Sequence, residues 1–173
     1  MQPLGLEHGL SLAFSPYLDP RTGPCRSECL ACGEVCPTSA IQPLKLTEKV
    51  WAKVGTAVID RKTCLAWAYD KRCLVCKENC PYDAIIVETL PEKKAPVPHI
   101  RTERCYGCGF CEKYCPQDPS AIIVQPEGAL RLDTPTFAAK AQALGLKMGQ
   151  KPDPIDPNPN DLKADEPPPG FLP

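Results

Sequence analysis

Twelve cysteines fall into three groups of four, and a proline follows the last cysteine of every group. The groups are Cys25, Cys29, Cys32 and Cys36; Cys64, Cys73, Cys76 and Cys80; and Cys105, Cys108, Cys111 and Cys115. The third group has the spacing C-x2-C-x2-C-x3-C-P, which is typical of [4Fe–4S] ligation. Because each such cluster takes four thiolates, the count predicts three [4Fe–4S] clusters with all twelve cysteines as iron ligands.

The first two groups differ from that spacing only in their first gap, and both keep C-x2-C-x3-C-P at the end. A disulfide scaffold is one alternative, but such scaffolds belong to secreted chains, and the first residues have no basic region typical of a secretory signal. A zinc site is the other alternative, and it usually has two separated cysteine pairs or a Cys/His mixture. Here each group is one compact run, and His8 and His99 lie outside the runs.

The composition makes clusters necessary for folding. Aromatic residues are 6% of the 173 residues, so the chain has little material for a large apolar core, and metal binding is expected to be coupled to folding. The net charge of −1 does not point to nucleic acid. No apolar run is long enough to predict a transmembrane helix. We expect a cytoplasmic protein, or a periplasmic one if an export signal has been removed.

The sequence around the cysteines predicts an α+β repeat. β-Branched runs at 85–87 and 122–124 follow the second and third groups, and extended segments at 55–60 and 97–101 precede them. A single helical turn is expected near the end of each group, where the proline stops it. Each unit therefore reads as strand, cysteine loop, short helix and strand.

This pattern resembles the bacterial two-cluster ferredoxin over residues 20–126. In that family three cysteines of one run bind one cluster and the fourth binds the other cluster. The segments GTAVIDRKTCLAWAYDKRCLVCKENCP (55–81) and CYGCGFCEKYCPQDPSAI (105–122) more closely resemble the polyferredoxins that accompany periplasmic nitrate reductase and methylamine utilisation. Such polyferredoxins usually carry four motifs, and their relatives are electron-transfer subunits of molybdenum and tungsten oxidoreductases.

The resemblance implies an exchange of fourth cysteines, and three groups leave its partners open. If groups one and two form a pair, the two ligand sets are Cys25, Cys29, Cys32 and Cys80, and Cys64, Cys73, Cys76 and Cys36. The third group would then close on itself or borrow a ligand. A three-way exchange also satisfies the count.

The chain divides into an N-terminal extension (1–22), a polyferredoxin domain (23–126), a helix-containing docking segment (127–149) and a Pro-rich extended tail (150–173). Thr134 and Pro135 suit the N-cap and first position of a helix, and Gly145 or Gly149 suits its end. One helical stripe is predicted for Phe137, Ala141, Leu144 and Met148. We expect the helix and the tail to attach the chain to a larger subunit.

The function predicted from these features is electron transfer without catalysis. The chain is expected to be a subunit that relays single electrons between a larger catalytic oxidoreductase subunit and a second redox protein, in a hetero-oligomer. The resemblance implies a molybdenum or tungsten enzyme as the catalytic partner. A free soluble ferredoxin and an accessory protein for cofactor maturation are the alternatives. A cluster enzyme is disfavoured, because catalytic clusters normally leave one iron without a cysteine ligand.

Overall fold

Short antiparallel strand pairs and short helices make up the part of the chain that the structure describes. That part of the computed structural model comprises residues 2–3, 16–37, 39–131 and 136–148. The strands within it are β1 (Gln2–Pro3), β2 (Pro16–Tyr17), β3 (Thr56–Ile59), β4 (Ile85–Glu88), β5 (Val97–Ile100) and β6 (Ile122–Gln125). The helices are α1 (Ala31–Glu34), α2 (Leu46–Lys49), α3 (Leu65–Tyr69), α4 (Val75–Glu78), α5 (Phe110–Lys113) and α6 (Phe137–Ala143).

Two of the strand pairs join the second and third cysteine groups. Strand β3, which enters the second group, pairs with β6, which leaves the third group, with Thr56 opposite Gln125. Strand β4, which leaves the second group, pairs with β5, which enters the third group, with Ile85 opposite Ile100. The four strands predicted from sequence are confirmed, and their pairing turns the second and third groups towards each other.

A single helical turn lies in each cysteine group, as the sequence predicts. Helices α1, α4 and α5 each contain the third cysteine of their group and end before the fourth. Among the described residues, strands flank only the second and third groups, whereas bends and irregular backbone follow the first. The strand-to-strand repeat is therefore complete in two of the three groups.

The buried core contains cysteines among small apolar side chains. One cluster of buried residues consists of Ala57, Ala84, Ile85, Cys105, Cys111 and Ile122. A second consists of Tyr106, Cys108, Ala141 and Met148. Because thiols occupy the centre of both clusters, whatever these sulfurs bind becomes part of the core.

Helix α6 covers one side of this core. Its N-cap is Thr136, whose Oγ1 accepts a hydrogen bond from Ala139 N at 3.1 Å. Such a cap satisfies one of the free N–H groups at the start of a helix. The sequence placed the cap at Thr134; that residue and Pro135 lie outside the described residues, and the side chain that caps the helix is two positions later.

The buried side of α6 agrees in part with the predicted stripe. Ala141 is fully buried and Met148 is buried, but Leu144 is 61% exposed. Gly145 follows the helix with φ of +68° and ends it, so the prediction of Gly145 is confirmed. Leu144 was wrongly placed on the buried stripe because the helix stops at Ala143, before the stripe reaches it.

The Pro-rich tail (150–173) and most of the N-terminal extension lie outside the described residues. Among the helices within the described ranges, none is long and apolar enough to cross a membrane.

Candidate iron–sulfur centres

The most enclosed cysteine site combines two groups. Cys80, the last cysteine of the second group, and the first three cysteines of the third group line one cavity, which we call the central cavity: Cys80, Cys105, Cys108 and Cys111. Two backbone N–H groups donate to its sulfurs, from Ala57 to Cys105 Sγ (3.4 Å) and from Ala84 to Cys80 Sγ (3.3 Å). Such donors stabilise a negatively charged sulfur and raise the reduction potential of a cluster.

The reciprocal arrangement forms a second cavity, which we call the outer cavity. It is lined by the first three cysteines of the second group and by the last cysteine of the third: Cys64, Cys73, Cys76 and Cys115. Helix α3 lies in the long gap between Cys64 and Cys73, the first two cysteines of the second group. Asp70 ends that helix in the left-handed conformation, with φ of 50°. The chain then turns back, so that Cys73 and Cys76 return to the same cavity as Cys64.

These linings bear on the pairing of groups, which the sequence leaves open. One alternative from the sequence pairs groups one and two, with Cys80 beside Cys25 and Cys36 beside Cys64. The structure instead pairs groups two and three, because the β3–β6 and β4–β5 pairs bring those two groups together. Each of the two cavities receives three cysteines from one group and one from the other.

The first group forms a third site on its own side of the molecule. Cys25, Cys29 and Cys32 line a cavity of about 620 Å³, which we call the first cavity. Cys36 follows α1 and is not on the wall of this cavity; its Sγ accepts a hydrogen bond from Ile41 N (3.5 Å). Cys80 is held in a similar way by Ala84 N. The first cavity touches the central site, since Cys25 N donates to Cys108 O at 2.7 Å.

The cysteines fit [4Fe–4S] clusters better than they fit the alternatives. None of the twelve is in a disulfide, so the structure contains no disulfide scaffold among them. Within the described residues, no three His, Cys, Asp or Glu side chains are placed to bind a single metal ion. Four thiols nevertheless share each of two cavities. Thiols spread around a cavity suit a cluster, in which each sulfur binds a different iron.

Burial keeps these thiols from ionising on their own. Loss of water contact raises the pKa of Cys76 to about 12 and the pKa of Cys108 to about 12. The pKa of Cys111 is also raised, chiefly by burial. A bare site would therefore hold protonated, uncharged thiols at neutral pH, and iron binding would release those protons.

Aromatic rings separate the central cavity from the first. Tyr82 and Tyr106 both line the central cavity, and their rings stack with centroids 5.0 Å apart and planes 8° apart. Tyr106 is 1% exposed, and its hydroxyl donates to Lys49 O at 3.0 Å. The two stacked rings shield this wall of the central cavity from water.

Histidine takes no part in the two four-cysteine cavities. His99 lies on β5, where its ring meets Trp67 edge-on at 5.1 Å and its Nε2 is 3.2 Å from Glu88 Oε2. His8 lies outside the described residues. His99 therefore has a packing role, in agreement with the sequence analysis.

Two lysines beside the cavities were not singled out by the sequence. Lys53 is 4% exposed and Lys49 is partly buried, and both line the first cavity. Lysine is common on exposed surfaces, so nothing in the sequence distinguishes these two from the other basic residues. Only the tertiary structure shows that they are turned inward.

Gly107 is required by the backbone of the central cavity. It has φ of +79°, and a Cβ there would lie 2.5 Å from Gly55 N and 2.6 Å from Gly55 O. We expect Gly107→Ala to cost about 3 kcal/mol through the strained backbone and the clash. This loss corresponds to a fall of roughly 6–12 °C in the thermal midpoint of the iron-loaded protein.

The matched control is Gly23→Ala, because a Cβ at Gly23 meets nothing within 4 Å. Its thermal midpoint should stay within about 2 °C of the unmodified protein. Equal midpoints for the two variants would show that Gly107 has no special role.

Comparison with known proteins agrees with this geometry. Residues 71–118 match the family model described as a 4Fe-4S dicluster domain, which spans the second and third groups from Cys73 to Cys115. The methylamine utilization ferredoxin-type protein MauM of Methylobacillus flagellatus is 35% identical over 118 residues, covering 65% of this chain and 50% of that protein. The ferredoxin-type protein NapG of Escherichia coli is 37% identical over 130 residues, covering 70% of this chain and 55% of that protein.

A third relative shares a shorter segment. The dihydromethanopterin reductase (acceptor) of Methanosarcina mazei is 40% identical over 60 residues, or 34% of this chain and 20% of that protein. No solved structure matches. The chain spans about half the length of MauM and NapG. Residues 71–118 are therefore a 4Fe–4S dicluster domain, and the chain is a relative of the ferredoxin-type proteins MauM and NapG.

Proposed function

We propose that this chain relays single electrons through three [4Fe–4S] clusters, between a catalytic oxidoreductase subunit and another redox carrier. The observation that carries the proposal is the contiguity of the three cysteine sites. The outer and central cavities exchange their fourth cysteines, and the central and first sites meet at the Cys25–Cys108 backbone hydrogen bond. The sites therefore follow the order outer, central, first, which is not the order of their groups in the sequence.

The residues around the sites suit transfer rather than catalysis. Bound clusters would accept and release one electron at a time, and the cysteines would hold them. In the part of the chain that the structure describes, the wall of the outer cavity is apolar apart from its cysteines and Gln117, and it has no ionisable side chain other than cysteine. The tyrosines of the central cavity, Tyr82 and Tyr106, have pKa values raised by burial and stay protonated. These walls provide no group poised for acid–base chemistry.

The proposed ligands are the four cysteines of each of the two shared cavities and, for the third cluster, the first group. Cys36 is the fourth ligand in this proposal, because its Sγ accepts a backbone N–H just as that of Cys80 does. The catalytic partner is proposed to be a molybdenum or tungsten enzyme, on the basis of the polyferredoxin resemblance.

Cluster content tests the proposal directly. Full-length chain reconstituted without oxygen should contain about twelve iron and twelve sulfide per molecule and should take up about three electrons on reduction. Electron paramagnetic resonance (EPR) of the reduced protein should show three interacting centres. About eight iron atoms would leave the first group without a cluster, and about four would contradict the paired cavities.

Subunit membership needs a separate measurement. Native extract separated by size exclusion should show the chain together with a larger polypeptide. Elution as a free particle of 18.9 kDa would instead favour a soluble ferredoxin.

A further inference from the structure

The three cavities differ in the charge of their walls. Arg26, Lys49 and Lys53 line the first cavity, and none of the carboxylates among the described residues is on its wall. Within the same described ranges, no lysine, arginine, aspartate or glutamate lines the central or the outer cavity. Cationic side chains are therefore concentrated at one end of the series of sites.

Lys49 contacts a cysteine of the first group directly. Its Nζ donates to Cys25 Sγ at 3.4 Å and lies 5.6 Å from the centre of the Tyr106 ring. Its backbone is held at the end of α2, where Lys49 N donates to Lys45 O (2.9 Å) and Lys49 O accepts from the Tyr106 hydroxyl (3.0 Å). These contacts fix the ammonium group between the first and central sites.

Lys53 is the second cation at this boundary. Its Nζ donates to Thr102 O (2.7 Å) and to Cys105 O (2.6 Å), so that its side chain joins the wall of the first cavity to a backbone carbonyl of the central site. Both carbonyls are acceptors for an ammonium group, and the side chain is almost fully buried. Solvent screens its charge little at this position, and the Glu103 carboxylate is the acidic group that acts on it.

The acidic residue next to Lys49 does not cancel this charge. The Glu48 carboxylate accepts hydrogen bonds from Phe137 N (2.7 Å) and Ala138 N (3.4 Å) at the start of α6. It is therefore satisfied by backbone donors, and its charge is offset by the N-terminal end of that helix.

We propose that Lys49 makes the cluster of the first cysteine group the highest-potential centre of the three, so that electrons run from the outer cavity through the central cavity to the first. Reduction adds one negative charge to a cluster, and a cation a few ångströms away in a poorly solvated site stabilises that charge strongly. Contact with solvent also raises the reduction potential of the first-group cluster relative to that of the central cluster. Cys29 and Cys32 are exposed, whereas Cys105, Cys108 and Cys111 are buried. The proposal rests on the proposed function, since it assumes three bound clusters.

The test is an EPR-monitored redox titration of the full chain after anaerobic reconstitution. Lys49→Gln should lower the reduction equilibrium constant of the highest-potential cluster about tenfold, or about 59 mV for a one-electron couple, and should shift the potentials of the other two clusters less. Lys49→Arg should keep the potential because it keeps the charge. The control is Lys45→Gln, which removes an exposed lysine from the same segment. It should leave the reduction potentials of all three clusters unchanged.

Cys29→Ser assigns the signal, because it should alter only the cluster of the first group. Two results would overturn the inference. In the first, Lys49→Gln retains about twelve iron atoms but the reduction potential of the highest-potential cluster does not change. In the second, the cluster whose potential changes is not the cluster whose signal Cys29→Ser alters. Lys53→Gln should act mainly on the cluster of the central cavity, because Lys53 Nζ is hydrogen-bonded to the Cys105 carbonyl. Lys49→Gln therefore decides the assignment. An iron content well below twelve in the unmodified chain would instead contradict the proposed function.

Discussion

Cys115→Ala is expected to destroy the cluster of the outer cavity and to spare the cluster bound by the rest of its own group. The reason is the exchange of fourth cysteines, because Cys115 lines the cavity of Cys64, Cys73 and Cys76. Loss of one thiolate from a four-cysteine site leaves one iron without a protein ligand. Iron content should fall from about twelve to about eight, or to about eleven if a three-iron cluster persists.

The matched variant is Cys111→Ala, one helical turn earlier in the same group. Cys111 lines the central cavity together with Cys80, so its loss should remove a different EPR signal from the one that Cys115→Ala removes. Cys80→Ala should reproduce the Cys111→Ala spectrum although it lies in another group. If Cys115→Ala and Cys111→Ala remove the same signal, groups two and three do not exchange ligands.

Removal of iron is expected to abolish cooperative unfolding of the described domain. Buried cysteines belong to both core clusters, where they pack with only a few apolar side chains. Without a cluster, each cavity leaves sulfurs and apolar surface without packing partners, and the net stability of a small domain is only about 5–15 kcal/mol. Strong chelation under anaerobic, reducing conditions should therefore remove the thermal transition seen by circular dichroism.

Restoring iron and sulfide should bring the transition back, which separates metal loss from irreversible damage. Amide exchange gives an independent readout in β3 and β6, whose backbone hydrogen bonds join the second and third groups. Protected amides in these strands after complete iron removal would show that the apolar core suffices without clusters.

Local features of this fold could be predicted from the sequence. The β-branched runs at Ile85–Glu88 and Ile122–Gln125 and the helical turns before each Cys-Pro depend on neighbouring residues, so the pattern identifies them. The twelve candidate ligands could be named for the same reason. Which cysteines share a cavity depends on contacts between distant segments, such as Thr56 opposite Gln125, and spacing carries no information about those.

The inward-facing lysines could not have been found in this way. The chain has 20 lysines and arginines, and the local sequence of Lys49 or Lys53 does not differ from that of an exposed lysine. Their positions depend on the packing of α2 beside Tyr106 and on the Cys105 carbonyl. The N-cap of α6 was predicted at Thr134 and not at Thr136 because threonine is a favourable N-cap at either position. Which one caps the helix depends on the residue at which the backbone becomes helical.

The exchange of the last cysteines also has a consequence for biosynthesis. A ribosome releases the chain from its N-terminus, and neither shared site is complete when the second group emerges: the outer cavity lacks Cys115, and the central cavity lacks three of its four thiols. Clusters can therefore be completed at these sites only after the third group has been synthesised. Until then the thiols of the second group have no cluster, while more than forty further residues are translated (from Cys73 to Cys115). Because of this topology, the cell must protect those thiols from oxygen during that interval.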